Sequence, residues 1–215
     1  MPSSAPRNAW PIGFTAASLR AGLYVLFIAG CGQLAYLEAA YFPQSRFTEY
    51  GLVELAQSLV LATSAALLFY VRQVQRALPT VTLLMFAFIA SSLIREQDYW
   101  LDTRVARHAW KVLVALIVLP ALALVIRRRH RFADEFRHYS NTFSFGLFAS
   151  GVLVTYVFSR LFGRQSLWQA IMQESYLRSF KNAAEEMVEL LGYALILIAI
   201  IELVLLARRW CMARH

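Results

Sequence analysis

Residues 187–207 read MVELLGYALILIAIIELVLLA, an apolar stretch whose only ionisable carboxylates are Glu189 and Glu202. Roughly 20 mostly apolar residues in helical geometry cross the hydrocarbon core of a bilayer. A strand of a soluble sheet is far shorter, and a soluble helix needs only one apolar stripe. The stretch therefore reads as a membrane-spanning helix, and it sets the terms for the rest of the chain.

Working outward, five more runs of the same character appear, at Ala21–Tyr41, Gly51–Val71, Leu78–Ile94, Ala109–Ile126 and Thr142–Phe162. Pro120 falls inside the fourth and predicts a kink there. The expected fold class is all-α: a polytopic bundle of six transmembrane helices forming a single integral-membrane domain over residues 1–215. Composition agrees, because 59% of the 215 residues are hydrophobic and 16% charged, with mean hydropathy +0.51. A soluble domain is nearer 45–50% apolar and about 25% charged.

The formal charge of +8 and pI near 9.9 do not point to nucleic acid, because the Lys and Arg residues sit at the ends of the apolar runs, where topology places them. Arg7, Arg20, Arg72, Arg76, Arg127, Arg128, Arg129, Arg131, Arg137, Arg208, Arg209 and Arg214 all fall on one side of a six-span chain. The positive-inside rule makes that side cytoplasmic, giving an N-in/C-in protein with residues 1–20 as a cytoplasmic tail. The tail lacks a compact positive region and a cleavage site, and reads as retained. A multi-pass protein of a bacterial inner membrane is the expected setting. Cys31 and Cys211 fall within the first span and beyond the last, so no disulfide is expected between them.

The acids divide the other way. Asp134, Glu135 and Glu202 lie toward the cytoplasmic side, whereas Glu38, Glu49, Glu54, Glu96, Asp98, Asp102, Glu174, Glu185, Glu186 and Glu189 lie in outer loops or outer span ends. Acids contribute little to topology, so this bias needs its own explanation. The second span opens with Glu49, Tyr50, Glu54 and Gln57; the third ends in Arg95, Glu96, Gln97 and Asp98; His108 and Lys111 open the fourth. The sixth opens with Glu185, Glu186 and Glu189, followed by Tyr193. Glu54 and Gln57 share a helix face, as do Glu186, Glu189 and Tyr193.

A charge at mid-helix in a membrane costs roughly 2.5–3.5 kcal/mol on insertion scales and less near the ends. Glu54 and Glu189 are therefore expected to face the bundle interior and find partners, with Arg95 and Lys111 the obvious ones. The candidate pocket comprises Glu54, Gln57, Arg95, Glu96, Asp98, His108, Lys111, Glu186 and Glu189. Against it stands the ordinary preference of acids for helix N-termini, to which Glu49, Glu174 and Glu185 are assigned. Oxygen ligands such as Glu54 and Glu189 suit a divalent cation of the Mg²⁺, Ca²⁺ or Mn²⁺ type. His108 alone among the histidines is on the outer side, and no HExxH motif occurs, which argues against zinc; haem would want histidine within a span. Glu185–Glu186 begins like the EExxxR element of membrane CAAX-type proteases, but the arginine is missing and Glu189 stands nearby, so that assignment is rejected.

Between the last two spans, Leu167, Trp168, Ile171, Met172, Leu177 and Phe180 recur at helical spacing among polar residues, predicting an amphipathic interfacial helix on the outer leaflet over residues 164–184. It serves as a lid, a platform for a lipid headgroup or a plain connector. Gly146, Ser150 and Gly151 predict close helix packing in the fifth span. Tyr24, Tyr36, Tyr41, Trp100 and Trp110 read as interfacial anchors. Three functions remain open: an accessory or sensor subunit of a cell-envelope complex, held by a membrane protein partner; a membrane enzyme acting on a lipid or lipid-linked substrate; and a small cation- or proton-coupled transporter.

Overall fold

The structure is a computed structural model that describes residues 13–41, 51–104 and 106–212. Arg7, Glu49, Tyr50 and Arg214 lie outside the described residues. The described residues form a bundle of helices without strands: α1 (Phe14–Tyr41), α2 (Leu52–Tyr70), α3 (Pro79–Glu96), α4 (Asp98–Arg104), α5 (Ala109–Arg127), α6 (Arg129–Ser140), α7 (Phe143–Leu153), α8 (Ser159–Phe162), α9 (Gln165–Met172) and α10 (Arg178–Met212). A π turn, Val71–Gln75, extends α2, and a second, Val154–Phe158, joins α7 to α8. Six of the resulting helices are long and apolar enough to cross a membrane. The protein is thus a polytopic membrane helix bundle.

Span lengths differ from the sequence expectation chiefly at the two ends. α1 starts at Phe14, ahead of Arg20, and α10 starts at Arg178, nine residues ahead of the expected Met187. The expected helix over 164–184 is accordingly divided. α9 ends at Met172, where Gln173 takes a positive φ of 49°, and the residues from Arg178 onward form the first turns of α10. Helical periodicity is blind to such a break, because both pieces keep apolar residues at compatible spacing. α5 runs without interruption through Pro120, whose lost hydrogen bond does not end the helix.

α10 is the central element. It packs on α7, α2 and α1, while α3 lies against α2 and α5. Along α10, Leu190, Tyr193, Ala194, Ile196, Ile198, Ala199, Ile200 and Leu203 are buried, whereas α1 and α5 leave most of their apolar surface to lipid. The closest helix approach is between α7 and α10. A Cβ on Gly151 would lie 2.7 Å from Ile196 Cγ1 and 2.8 Å from the Gly192 carbonyl, and a Cβ on Gly192 would run into Thr155. Gly146, expected to share this role, faces open space.

Caps come from distant side chains. Val53 N–H at the start of α2 donates to Glu38 Oε2 of α1 at 2.7 Å, and a side chain on Gly51 would collide with that carboxylate. α3 opens with Pro79 at its first position, and Glu135 of α6 accepts from Thr80 N at 2.7 Å and Val81 N at 3.1 Å. Both carboxylates meet the positive end of a helix dipole. Replacing Glu135 with alanine is expected to lower stability by about 1–2 kcal/mol, read as a lower midpoint of thermal unfolding in detergent. An unchanged midpoint would mean that water caps α3 equally well.

These contacts define two ends of the bundle. Arg20 and Tyr24 of α1 meet Glu202 of α10, and Gln75 reaches the Val204 carbonyl at 3.2 Å, which gathers the arginine-rich segments at one end. Glu54, Glu96, Glu185, Glu186 and Glu189 gather at the other, the acidic end.

Candidate functional site

The acidic end is organised around the first turns of α10. Glu189 is buried, with its side chain 5% exposed, and it lies between two arginines from different helices. Arg160 of α8 places Nη2 2.8 Å from Glu189 Oε1, and Arg95 at the end of α3 places Nη2 3.7 Å from Glu189 Oε2. Ser159 adds a hydrogen bond from its hydroxyl to Glu189 Oε1 at 3.2 Å.

Arg95 extends the network sideways. Its Nη2 lies 2.6 Å from Glu96 Oε1 and 3.1 Å from the Tyr193 hydroxyl, which itself donates to Glu96 Oε1 at 2.7 Å. The guanidinium also sits over the Tyr156 ring at 5.8 Å, and the Tyr156 hydroxyl bonds Ser92. On the other flank, Arg160 bridges to Glu185 Oε1 at 2.9 Å, and Lys181 Nζ meets Glu185 Oε2 at 2.6 Å. Gln57 of α2, fully buried, donates to Glu186 Oε2 at 2.9 Å and to the Glu186 carbonyl at 3.1 Å. Gln57 Oε1 and Arg95 Nε are buried without a hydrogen-bond partner among the described residues.

Several local features aim these groups. Glu185, Glu186 and Glu189 occupy the first turns of a helix whose later turns are anchored by apolar burial. The π turn before α8 inserts an extra residue, so both Gly151 and Ser159 can face α10. Arg95 is reached by Tyr193 because the two stand at the same depth on neighbouring, oppositely directed helices.

Of the residues expected from sequence, Gln57, Arg95, Glu96, Glu186 and Glu189 come together here. Glu54 is half-buried and lines an adjoining groove of about 600 Å³ between α2, α3 and α4, with Leu55, Ser58, Leu59, Glu96 and Trp100. Asp98, His108 and Lys111 lie elsewhere. Asp98 is exposed at the start of α4, His108 caps α5 with its backbone N–H on Asp102 at 2.9 Å, and Lys111 lies over the Trp110 ring at 5.5 Å. The cation expected from Lys111 is supplied by Arg160 instead. Glu185, assigned on sequence to a helix-terminus role, holds two cations. Arg160 was hidden because it closes an apolar run, where a basic residue reads as a boundary mark.

Chemically, the cluster is a set of charges that satisfy one another. Three cations, Arg95, Arg160 and Lys181, are shared among Glu96, Glu185 and Glu189, and Glu186 is held by an amide. No group of three or more His, Cys, Asp or Glu side chains among the described residues is arranged to hold a metal ion. Glu54 and Glu189, expected as ligands for a divalent cation, are apportioned to a groove and to two arginines respectively.

No family model, curated protein or solved structure matches this chain.

Proposed function

We propose that this integral membrane protein is a non-catalytic accessory subunit, oriented with its basic end in the cytoplasm and docking a transmembrane helix of a protein partner in the groove at its acidic end. The observation that carries this reading is the groove itself. It is apolar at its inner end, where Leu59, Ala62 and Leu93 lie, and polar at its outer mouth, where Glu54 stands and Gln97 bonds Ser58. That gradation matches a helix entering from the lipid with a polar end. The polar cluster behind it ties α2, α3, α8 and α10 to one another, as a rigid wall for such a groove requires.

Two other readings fare less well. A lipid-directed enzyme draws support from Glu54 and Glu96 lining the same groove, the pair an acid–base mechanism would use. Glu96, however, is committed to Arg95 and Tyr193. Coupled transport needs a polar path. Between Glu189 and Glu202, about 20 Å apart along α10 at 1.5 Å per residue, the buried side chains of α10 itself apart from Tyr193 are aliphatic, and the Ser144 hydroxyl facing it is spent on the Ala199 carbonyl.

In native membranes opened with mild detergent, the chain is expected to migrate in a complex well above its own 24.5 kDa. Leu59→Trp, which fills the groove, is expected to release it to the position of the isolated chain, with insertion unchanged. Migration of the wild-type chain alone as a monomer would remove the reading.

A further inference from the structure

A second opening, at the basic end, has a different character. It is a slot of about 390 Å³ between α3, α6 and α7, lined by Val81, Met85, Phe88, Phe136, Phe145 and Phe148 among others. The lining is almost entirely apolar. Its deep end is closed where Phe88 of α3 meets Phe148 of α7 and Tyr156 of the π turn beyond it, with ring centroids 6.2 and 5.1 Å apart. From Val81 at the mouth to Phe88 is seven residues, about 10 Å along the helix. The slot is therefore apolar and roughly half a leaflet deep.

α6 forms its rim. Phe132, Phe136 and Tyr139 share the face of α6 that turns toward the slot, with Phe136 edge-on to Phe145 at 5.7 Å and Tyr139 edge-on to it at 5.6 Å. Burial pushes the Tyr139 hydroxyl up to about 12, so it stays protonated and serves Ser144. The rest of the α6 segment is basic and exposed: Arg127, Arg128, Arg129, Arg131 and Arg137 with His130 and His138, against Asp134 and Glu135. Arg131 and Glu135 pair with each other at 2.8 Å. Arg128 and Arg129 remain on the exposed rim, one turn before Phe132 and flanking the aromatic face by helical spacing.

An apolar slot that opens beneath a helix with two exposed arginines beside its aromatic face is complementary to one kind of molecule in its surroundings. We infer that the slot binds an anionic phospholipid of the leaflet at the basic end, one acyl chain between α3 and α7 and the phosphate beside Arg128 and Arg129. Charge selects the headgroup, since each basic side chain at such a surface favours anionic over zwitterionic lipid. The aromatic walls select the chain, because a void left empty there forfeits dispersion contacts on every side. α6 is thereby held at the bundle's end by the lipid as well as by its own Glu135, which caps α3.

The test uses the full chain in nanodiscs of phosphatidylcholine, alone or mixed with phosphatidylglycerol, followed by native mass spectrometry of the released protein. One phosphatidylglycerol is expected to stay bound when phosphatidylcholine is stripped. Arg128→Gln with Arg129→Gln, both on the surface, is expected to weaken that retention about tenfold or more. Leu84→Trp, which fills the slot, is expected to abolish it. Equal retention of the two lipids overturns the inference. So does retention that merely tracks the bilayer composition, retention unmoved by the arginine pair, or a protein in place of the lipid.

Discussion

Gly192→Leu is expected to unfold the bundle or to lower its stability by about 3 kcal/mol or more, the upper end of what overpacking costs. At this position α10 and the α7 π turn pass backbone against backbone. An added Cβ would meet Thr155 and come within 3.0 Å of the Gly151 carbonyl. Beyond the Thr155 hydroxyl, the obstacles are backbone atoms, Thr155 N and the Gly151 carbonyl, so the helices themselves would have to part. α7 contributes the largest contact with α10, and separating them also pulls Ser159 and Arg160 from Glu189. Gly146→Leu is the matched control: it lies on α7, the other helix of this crossing, faces open space, and is expected to change stability by no more than about 0.5 kcal/mol. Size-exclusion profiles and thermal unfolding in detergent would separate the two. Equal behaviour of the variants would show that the α7–α10 crossing yields more readily than its geometry implies.

Arg95→Ala is the second large effect, with an expected loss of about 2–4 kcal/mol, somewhat below that of breaking a fully buried ion pair because the arginine is 31% exposed. Its removal strips Glu96 of its cation and leaves Glu189 to Arg160 alone. Arg95→Lys is expected to recover only part of the loss, because the contacts to Glu96, Tyr193 and Glu189 converge on the outlying Nη2, and lysine has neither that reach nor the flat guanidinium face that lies over Tyr156. A double substitution makes a sharper demand. Combined with Glu96→Gln, Arg95→Ala should cost less than the two single losses added together, since the second change removes the charge the first left unpaired. Simple additivity in thermal unfolding would mean that the two groups are solvated independently.

Much of the architecture was readable from hydropathy, because a bilayer demands runs of near-constant length and the chain supplies them. The site was readable in one dimension only. Glu189, Glu96 and Arg95 stood out as ionisable groups at depths where water is scarce. Their depth along each helix could be counted, but not their direction around it. α10 is apolar on all sides, so its periodicity does not tell which neighbour Glu189 faces. Arg20 and Glu202 lie 182 residues apart and no local pattern links them. Glu38 looked like an outer-side acid, yet it is fully buried as the cap of another helix. The role of Gly192 depends on what crosses it, which only the packed bundle supplies.

The π turn at Val154–Phe158 has a consequence for how α7 and α8 are phased. It holds one more residue than an α-helical turn would, and Val157 and Phe158 carry the surplus on the lipid-facing side. Forcing the stretch into unbroken α-helix at its full length would set Ser159 about 80° round from Gly151, whereas excising Val157 as well would bring the two back to within about 20° of one face, at 3.6 residues per turn. Gly151 would stay seated against α10 in both cases, but only in the first would Arg160 swing out toward lipid. Loss of the wide turn with no loss of residues would thus dismantle the charged cluster from beneath without touching any member of it, so the π turn is as much a part of the cluster as its carboxylates.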